Sequence, residues 1–168
     1  MTIVSSEGET VKGLTKPVDR AVPPGHTAPG DLPLGDLMRT AQQTLVRVLD
    51  RALAHAGYDD VSAANVSVLN AVDPDGTRLA TLVDRVGRTK QATSELAGHL
   101  VRRGYLTLEP DPSDGRAKLY RTTPAGTRLL ATCADVVGDY ENWLDDALGA
   151  AGLVQLRGAL TAIVEHGA

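Results

Sequence analysis

At 168 residues the chain has the length of one ordinary domain, and no second large catalytic domain fits beside it. With 42% apolar, 23% charged and only 3% aromatic residues, and no Phe, the core must be built from Leu, Val and Ala, which favours helices. No apolar run approaches the roughly 18–20 residues of a membrane span, and the opening MTIVSSEGETVKG has no charged start followed by an apolar stretch, so a cytoplasmic protein without a membrane partner is expected. The single cysteine, Cys133, excludes an internal disulfide and a thiolate cluster for zinc.

Residues 1–30 hold Pro17, Pro23, Pro24 and Pro29 among glycines without apolar periodicity, which predicts a disordered arm whose Lys12, Lys16 and Arg20 belong to a solvated tail. From Leu34, apolar residues recur at steps of three and four through Leu37, Met38, Ala41, Leu45, Val48, Leu49, Ala52, Leu53 and Ala56 up to Gly57. That spacing predicts one amphipathic helix over about 34–56, about 35 Å long and longer than a compact lobe needs for itself. Ser62 is placed to cap a short second helix carrying Ala64, Val68, Leu69 and Val72, which ends at Asp73-Pro74-Asp75-Gly76.

Thr77 is read as the cap of a third helix, 77–86, with Leu79, Leu82, Val83 and Val86 on one face and Gly87 as its stop. Thr89 caps a fourth, which buries Ala92, Leu96, Ala97 and Leu100 and ends at Arg103-Gly104. Beyond it, Tyr105–Glu109 and Lys118–Thr122 flank the turn cluster Asp111–Gly115 and predict a β-hairpin. Thr123-Pro124 opens a fifth helix running to about Leu148, and Leu153, Leu156, Leu160, Ile163 and Val164 mark a last one.

Two short helices joined by a glycine turn and followed by a hairpin make a winged helix-turn-helix, whose second helix fits the major groove of DNA. Between Arg85 and Arg103 five basic residues face one acid, Glu95, for a net +4. Residues 72–123 carry nine basic against seven acidic residues, which leaves eight against fourteen for the rest. An acidic chain that gathers its positive charge on one helix and one hairpin has the electrostatic footprint of a DNA binder.

The start of the fourth helix offers Arg88, Thr89, Lys90, Gln91, Thr93 and Ser94 as candidate contacts. The Gln91 amide suits adenine N6 and N7, while Arg88 and Lys90 suit guanine or phosphate. At the wing, Arg116 is placed to enter the minor groove with Asp114 orienting it, and Lys118 follows on the strand. Any one of these residues alone is ordinary solvated surface; the turn and the wing together reverse that reading.

Val86–Leu106 (VGRTKQATSELAGHLVRRGYL) and Asp111–Gly126 (DPSDGRAKLYRTTPAG) resemble the recognition helix and wing of the MarR (multiple antibiotic resistance regulator) family. The family's wing pattern falls on Asp111, Pro112, Asp114, Arg116, Thr123 and Gly126. Gly115 stands where many members carry an Arg, and Thr122 where they often have Leu. The resemblance covers about residues 31–166 and implies a mostly α protein with a small β-hairpin wing. It also implies dimerisation helices at 31–57 and 124–168 around a DNA-binding lobe at 58–123.

By the same resemblance the chain is expected to be a homodimeric, ligand-responsive repressor of transcription, binding double-stranded DNA at a pseudo-palindromic operator without a cofactor. Many members also take a small aromatic effector, which this sequence does not identify. Cys133 lies on the apolar stripe of the fifth helix, the place of a packed small hydrophobe rather than a sensor. His26, His55, His99 and His166 show no ligand spacing, so no metal site is expected. An enzyme is disfavoured by the lack of a phosphate loop, a His-Glu-x-x-His and a Gly-x-Ser-x-Gly. A winged-helix protein-interaction module that does not bind DNA is the other alternative, and the cationic cluster argues against it.

Overall fold

The computed structural model describes residues 31–166, in the order α1 (Leu34–His55), α2 (Ala63–Asn70), β1 (Thr77–Arg78), α3 (Leu79–Val86), α4 (Lys90–Arg102), β2 (Leu106–Asp111), β3 (Asp114–Thr122) and α5 (Pro124–His166). The expected arm at 1–30, with Lys12, Lys16, Arg20 and His26, lies outside the described residues. The chain divides into two units, 1–42 and 43–168, and α1 begins in the first, where Arg39 pairs with Asp36 at 2.8 Å.

In the second unit Leu53, Val61, Val68, Leu69, Leu82, Ala97, Leu100, Leu106 and Leu129 form one buried cluster, to which α1, α2, α3, α4, β2 and α5 all contribute. Leu, Val and Ala supply nearly all of it, as a chain without Phe requires. Asp50 of α1 accepts the Ala63 N–H at 2.6 Å and so satisfies a donor at the open end of α2. Asn65 accepts from both the backbone and the hydroxyl of Ser62, at 3.1 and 2.9 Å, which fixes the entry into that helix.

Thr77 does not cap a helix. Thr77 and Arg78 form a short strand paired antiparallel with Tyr120 and Leu119, so the wing is a three-stranded sheet in the order β1-β3-β2, and α3 starts at Leu79. The Thr77 hydroxyl instead closes the preceding turn: it accepts from the Asp73 N–H at 2.8 Å and donates to the Asp73 carboxylate at 3.1 Å. A β-branched residue satisfied by that turn pairs more readily with an open strand than it enters a helix. The hairpin is also longer than its apolar core suggested, with Leu106 opposite Thr122 and Asp111 opposite Asp114.

Gly87 ends α3 in the left-handed conformation, φ 65°, and its N–H bonds to the Val83 carbonyl at 3.0 Å. This glycine makes the sharp turn between the two helices of the motif.

α5 is interrupted at Gly149, φ 70° and ψ 157°, into the two helices expected from the apolar spacing. Arg157 reaches Glu141 at 3.0 Å, although sixteen residues of straight helix would set them about 24 Å apart, so the chain folds back at the break. The two halves enclose an open groove of about 430 Å³ lined by Leu144, Leu153, Leu156 and Leu160. By length and composition α5 passes for a membrane span, with a mean hydropathy of 1.5 over an exposed 18-residue window. That corrects the expectation that no segment approaches one. The stretch 147–164 carries a single charge, Arg157, but Gly149 divides it, and the regular helix after the break covers about 25 Å where a bilayer core needs about 30 Å.

Candidate nucleic-acid interface

α4 is positioned by the residues it buries and by the cap that starts it. Thr93, Ala97 and Leu100 face the core, while Thr89 accepts the Ala92 N–H at 3.2 Å and so satisfies a helix-end donor. The Thr89 side chain is therefore committed to the cap. Arg88, Lys90 and Gln91 are exposed together around the first turn, and Ser94 is half-buried behind them.

Thr93 departs from the expectation. It is 0% exposed, so its side chain cannot meet a base edge, and its hydroxyl has no hydrogen-bond partner among the described residues. Its place three residues before Leu96 and four before Ala97 sets it on the helix face that packs inward.

Gln91 is not idle in the free protein: its Nε2 donates to Glu95 at 3.0 Å, one turn further along the same exposed face. Asp114 accepts the Arg116 N–H at 3.1 Å, so the tip of the wing is an Asx-type turn that holds the Arg116 backbone while its side chain stands exposed. Lys118 is exposed on the same strand.

Ion pairing sorts the nine basic residues of 72–123 into two groups. Arg85 pairs with Asp73 at 2.9 Å and also donates to the Ala71 carbonyl at 2.8 Å; Arg103 pairs with Asp60 at 3.1 Å and Arg121 with Glu109 at 3.1 Å; Arg78 grips Asp111. The Arg85 guanidinium holds the Asp73 carboxyl below its ordinary range. These four guanidinium groups brace the lobe. Arg88, Lys90, Arg102, Arg116 and Lys118 pair with no acid among the described residues, and all five are exposed on α4, its leading turn or the wing. Within 72–123 the free positive charge thus lies on the two elements that the motif would set against a duplex; outside that segment Arg47, Arg51 and Arg128 are likewise exposed without an acid among the described residues.

Arg102 was missed as a candidate by sequence reasoning, although its spacing of fourteen from Arg88 is close to four helical turns and puts both on one face. The two arginines line a cleft of about 430 Å³ between α2 and α4, with Asn65, Glu95 and His99. Also missed was Asp60, which ties the end of α4 to the loop before α2. Its backbone carbonyl accepts from the His99 ring at 2.7 Å, and its carboxylate accepts from Tyr105 at 3.2 Å and pairs with Arg103. No local motif announces a contact across 39 residues of chain.

Thr123 and Gly126 join the wing to α5. The Thr123 hydroxyl donates to the Gly104 carbonyl at 2.6 Å and accepts the Gly126 N–H at 3.1 Å, and a Cβ at Gly126 would overlap the Tyr105 carbonyl. Cys133 is 5% exposed, and burial pushes its thiol up, away from the reactive thiolate. Among the described residues no three His, Cys, Asp or Glu side chains converge as metal ligands would.

Residues 59–117 match the model of the MarR family. No curated protein sequence matches the chain. Among solved structures, the reduced form of MarR from E. coli is 25% identical, with a TM-score of 0.70 over 79% of this chain and 96% of that one. A mutant MarR from E. coli complexed with operator DNA is likewise 25% identical, with a TM-score of 0.67 over 79% of this chain and 94% of that one. The fold is shared further with the PcaV transcriptional regulator from Streptomyces coelicolor in complex with its natural ligand, 23% identical, with a TM-score of 0.66 over 85% and 99% of the two chains. The match across the helix-turn-helix and wing, with the fold carried over four-fifths of the chain, means that this chain is similar to the MarR family in that segment and has the winged-helix fold seen in MarR from E. coli.

Proposed function

We propose that the protein binds DNA sequence-specifically as a homodimer and acts as a ligand-responsive repressor on a pseudo-palindromic operator. The observation that carries this reading is the sorting of charge within the helix-turn-helix and wing: among the described residues of 72–123, the cations left without an acid are Arg88, Lys90 and Arg102 at α4 with Arg116 and Lys118 on the wing. Gln91 reads a base edge, Arg88 and Lys90 anchor on guanine or phosphate, Ser94 lies behind them, and Arg116 enters the minor groove from a turn held by Asp114.

The dimer rests on apolar surface that one chain leaves uncovered. Leu34 and Met38 are exposed at the start of α1, and Leu148, Val154, Leu156, Leu160, Ile163 and Val164 along the end of α5. Exposed apolar stripes of this kind, each along its own helix, favour burial against another protein surface. Residues 31–57 and 124–168 serve as the dimerisation helices around a lobe at 58–123, and two copies present their α4 helices to successive half-sites about one helical turn apart. The complex that MarR makes with operator DNA and the complex that PcaV makes with its natural ligand support both the DNA and the small-molecule parts of the reading. An effector releases DNA if it favours the arrangement that binds DNA less well.

Titration of source-genome fragments in gel-shift assays at stepped salt tests the proposal, with sedimentation analysis alongside. A dimer that selects particular fragments and weakens steeply with salt is expected, because each neutralised phosphate releases counterions. A monomer, or equal binding to every duplex at low salt, would overturn it.

A further inference from the structure

Glu95 is the only acid on α4. It is exposed, it pairs with no cation among the described residues, and its one hydrogen bond is to the Nε2 of Gln91 at 3.0 Å. A lone carboxylate on the face set against phosphates weakens binding to every duplex alike. Its one contact, however, acts on the amide best placed to read a base.

An amide side chain is nearly symmetric in shape, and a half-turn exchanges its oxygen and nitrogen. A carboxylate offers acceptors only, so the orientation with Nε2 toward Glu95 is bonded while the reverse sets Oε1 against negative charge. With one Nε2 hydrogen engaged, the other remains beside Oε1. That pair is the donor and acceptor required by adenine N7 and N6, whereas guanine, with acceptors at both N7 and O6, meets one match and one repulsion.

We infer that Glu95 is a specificity-determining positioning residue: by holding the Gln91 amide in one orientation, it sets which base pair and which strand sense α4 reads, and it lowers overall affinity in doing so. The inference rests on the DNA-binding reading above. It separates two quantities that a mere surface charge would move together.

Selection from a randomised duplex library with the full-length wild type, Gln91→Ala, Glu95→Gln and Glu95→Ala tests it, with affinities of the selected duplexes measured at low salt. The position that Gln91 reads is the one whose preference Gln91→Ala erases. At that position Glu95→Ala and Glu95→Gln are expected to lose about tenfold in base discrimination, while preferences elsewhere persist and every duplex binds several-fold tighter. A wild type that selects duplexes, with Glu95 variants that keep its preference at this position, would overturn this inference alone; so would a Gln91→Ala variant that erases no preference. A wild type that selects no duplex would overturn the DNA-binding reading and this inference with it.

Discussion

Arg78 on β1 donates from Nε to the Asp111 carboxylate on β2 at 2.7 Å, across 33 residues of chain, and so clasps the turn end of the wing from the side. The same carboxylate accepts from the backbone and the hydroxyl of Ser113, at 2.8 and 2.7 Å, and is only 6% exposed. The Ser113 hydrogen bonds, and after them Arg78, hold the Asp111 carboxyl down at about 2. The first Asp of the wing signature thus shapes the hairpin that presents Arg116.

Because its folded pKa is depressed, the contribution of Asp111 is fully present above its ordinary value near ~3.9 and is lost as pH falls through about 2. The wild type should therefore shed this part of its stability only between about pH 4 and 2. In Asp111→Asn that step should be missing from the difference in unfolding free energy, followed by urea titration at stepped pH. At neutral pH the variant should also bind DNA more weakly, through a loosened wing.

Thr93→Val should leave the protein as stable as the wild type or more stable by about 1 kcal/mol, because it replaces a buried hydroxyl without a partner by a methyl of the same shape. Its affinity for DNA should not change. Urea unfolding and a gel-shift titration check the two halves, and a loss of base preference would show that Thr93 reaches the duplex after all.

Gly126→Ala should destabilise by roughly 2 kcal/mol or more, since the added methyl has backbone rather than a movable side chain to displace at Tyr105. Gly115→Ala, where a Cβ meets nothing within 4 Å, is the control and should be close to neutral. Thermal melts of both variants decide the comparison.

Arg85→Ala and Arg88→Ala should part company, although the two residues lie three apart. Arg85 is held by Asp73 and the Ala71 carbonyl, so its loss should lower the melting temperature and leave the salt dependence of DNA binding unchanged. Arg88 has no such partner, so its loss should spare folding and reduce the slope of log affinity against log salt by about 1. Arg116→Ala should follow Arg88 rather than Arg85.

The helix-turn-helix was legible because its signals are local: a Thr cap, an apolar residue every three or four, and a glycine at the turn where φ must be positive. The same local logic misplaced Thr77, whose choice of strand over helix depends on Tyr120, 43 positions away. Within the candidate interface, Arg88, Lys90, Gln91 and Arg116 stood out as polar residues on a motif, but spacing does not reveal that Arg85 and Arg103 are consumed by Asp73 and Asp60. Nor does it show the bond between Gln91 and Glu95 as more than one of many i, i+4 pairs.

The order of the helices, the β2-β3 hairpin and the clustering of positive charge were determined by the sequence alone, because periodicity, caps and turn residues act within a few positions of themselves. Which arginines remain free, which threonine turns inward, and where the chain folds back at Gly149 were decided only by the tertiary structure. Those outcomes depend on pairs distant in the chain, and a charge or a hydroxyl carries no mark of its partner until packing brings the two within hydrogen-bond reach.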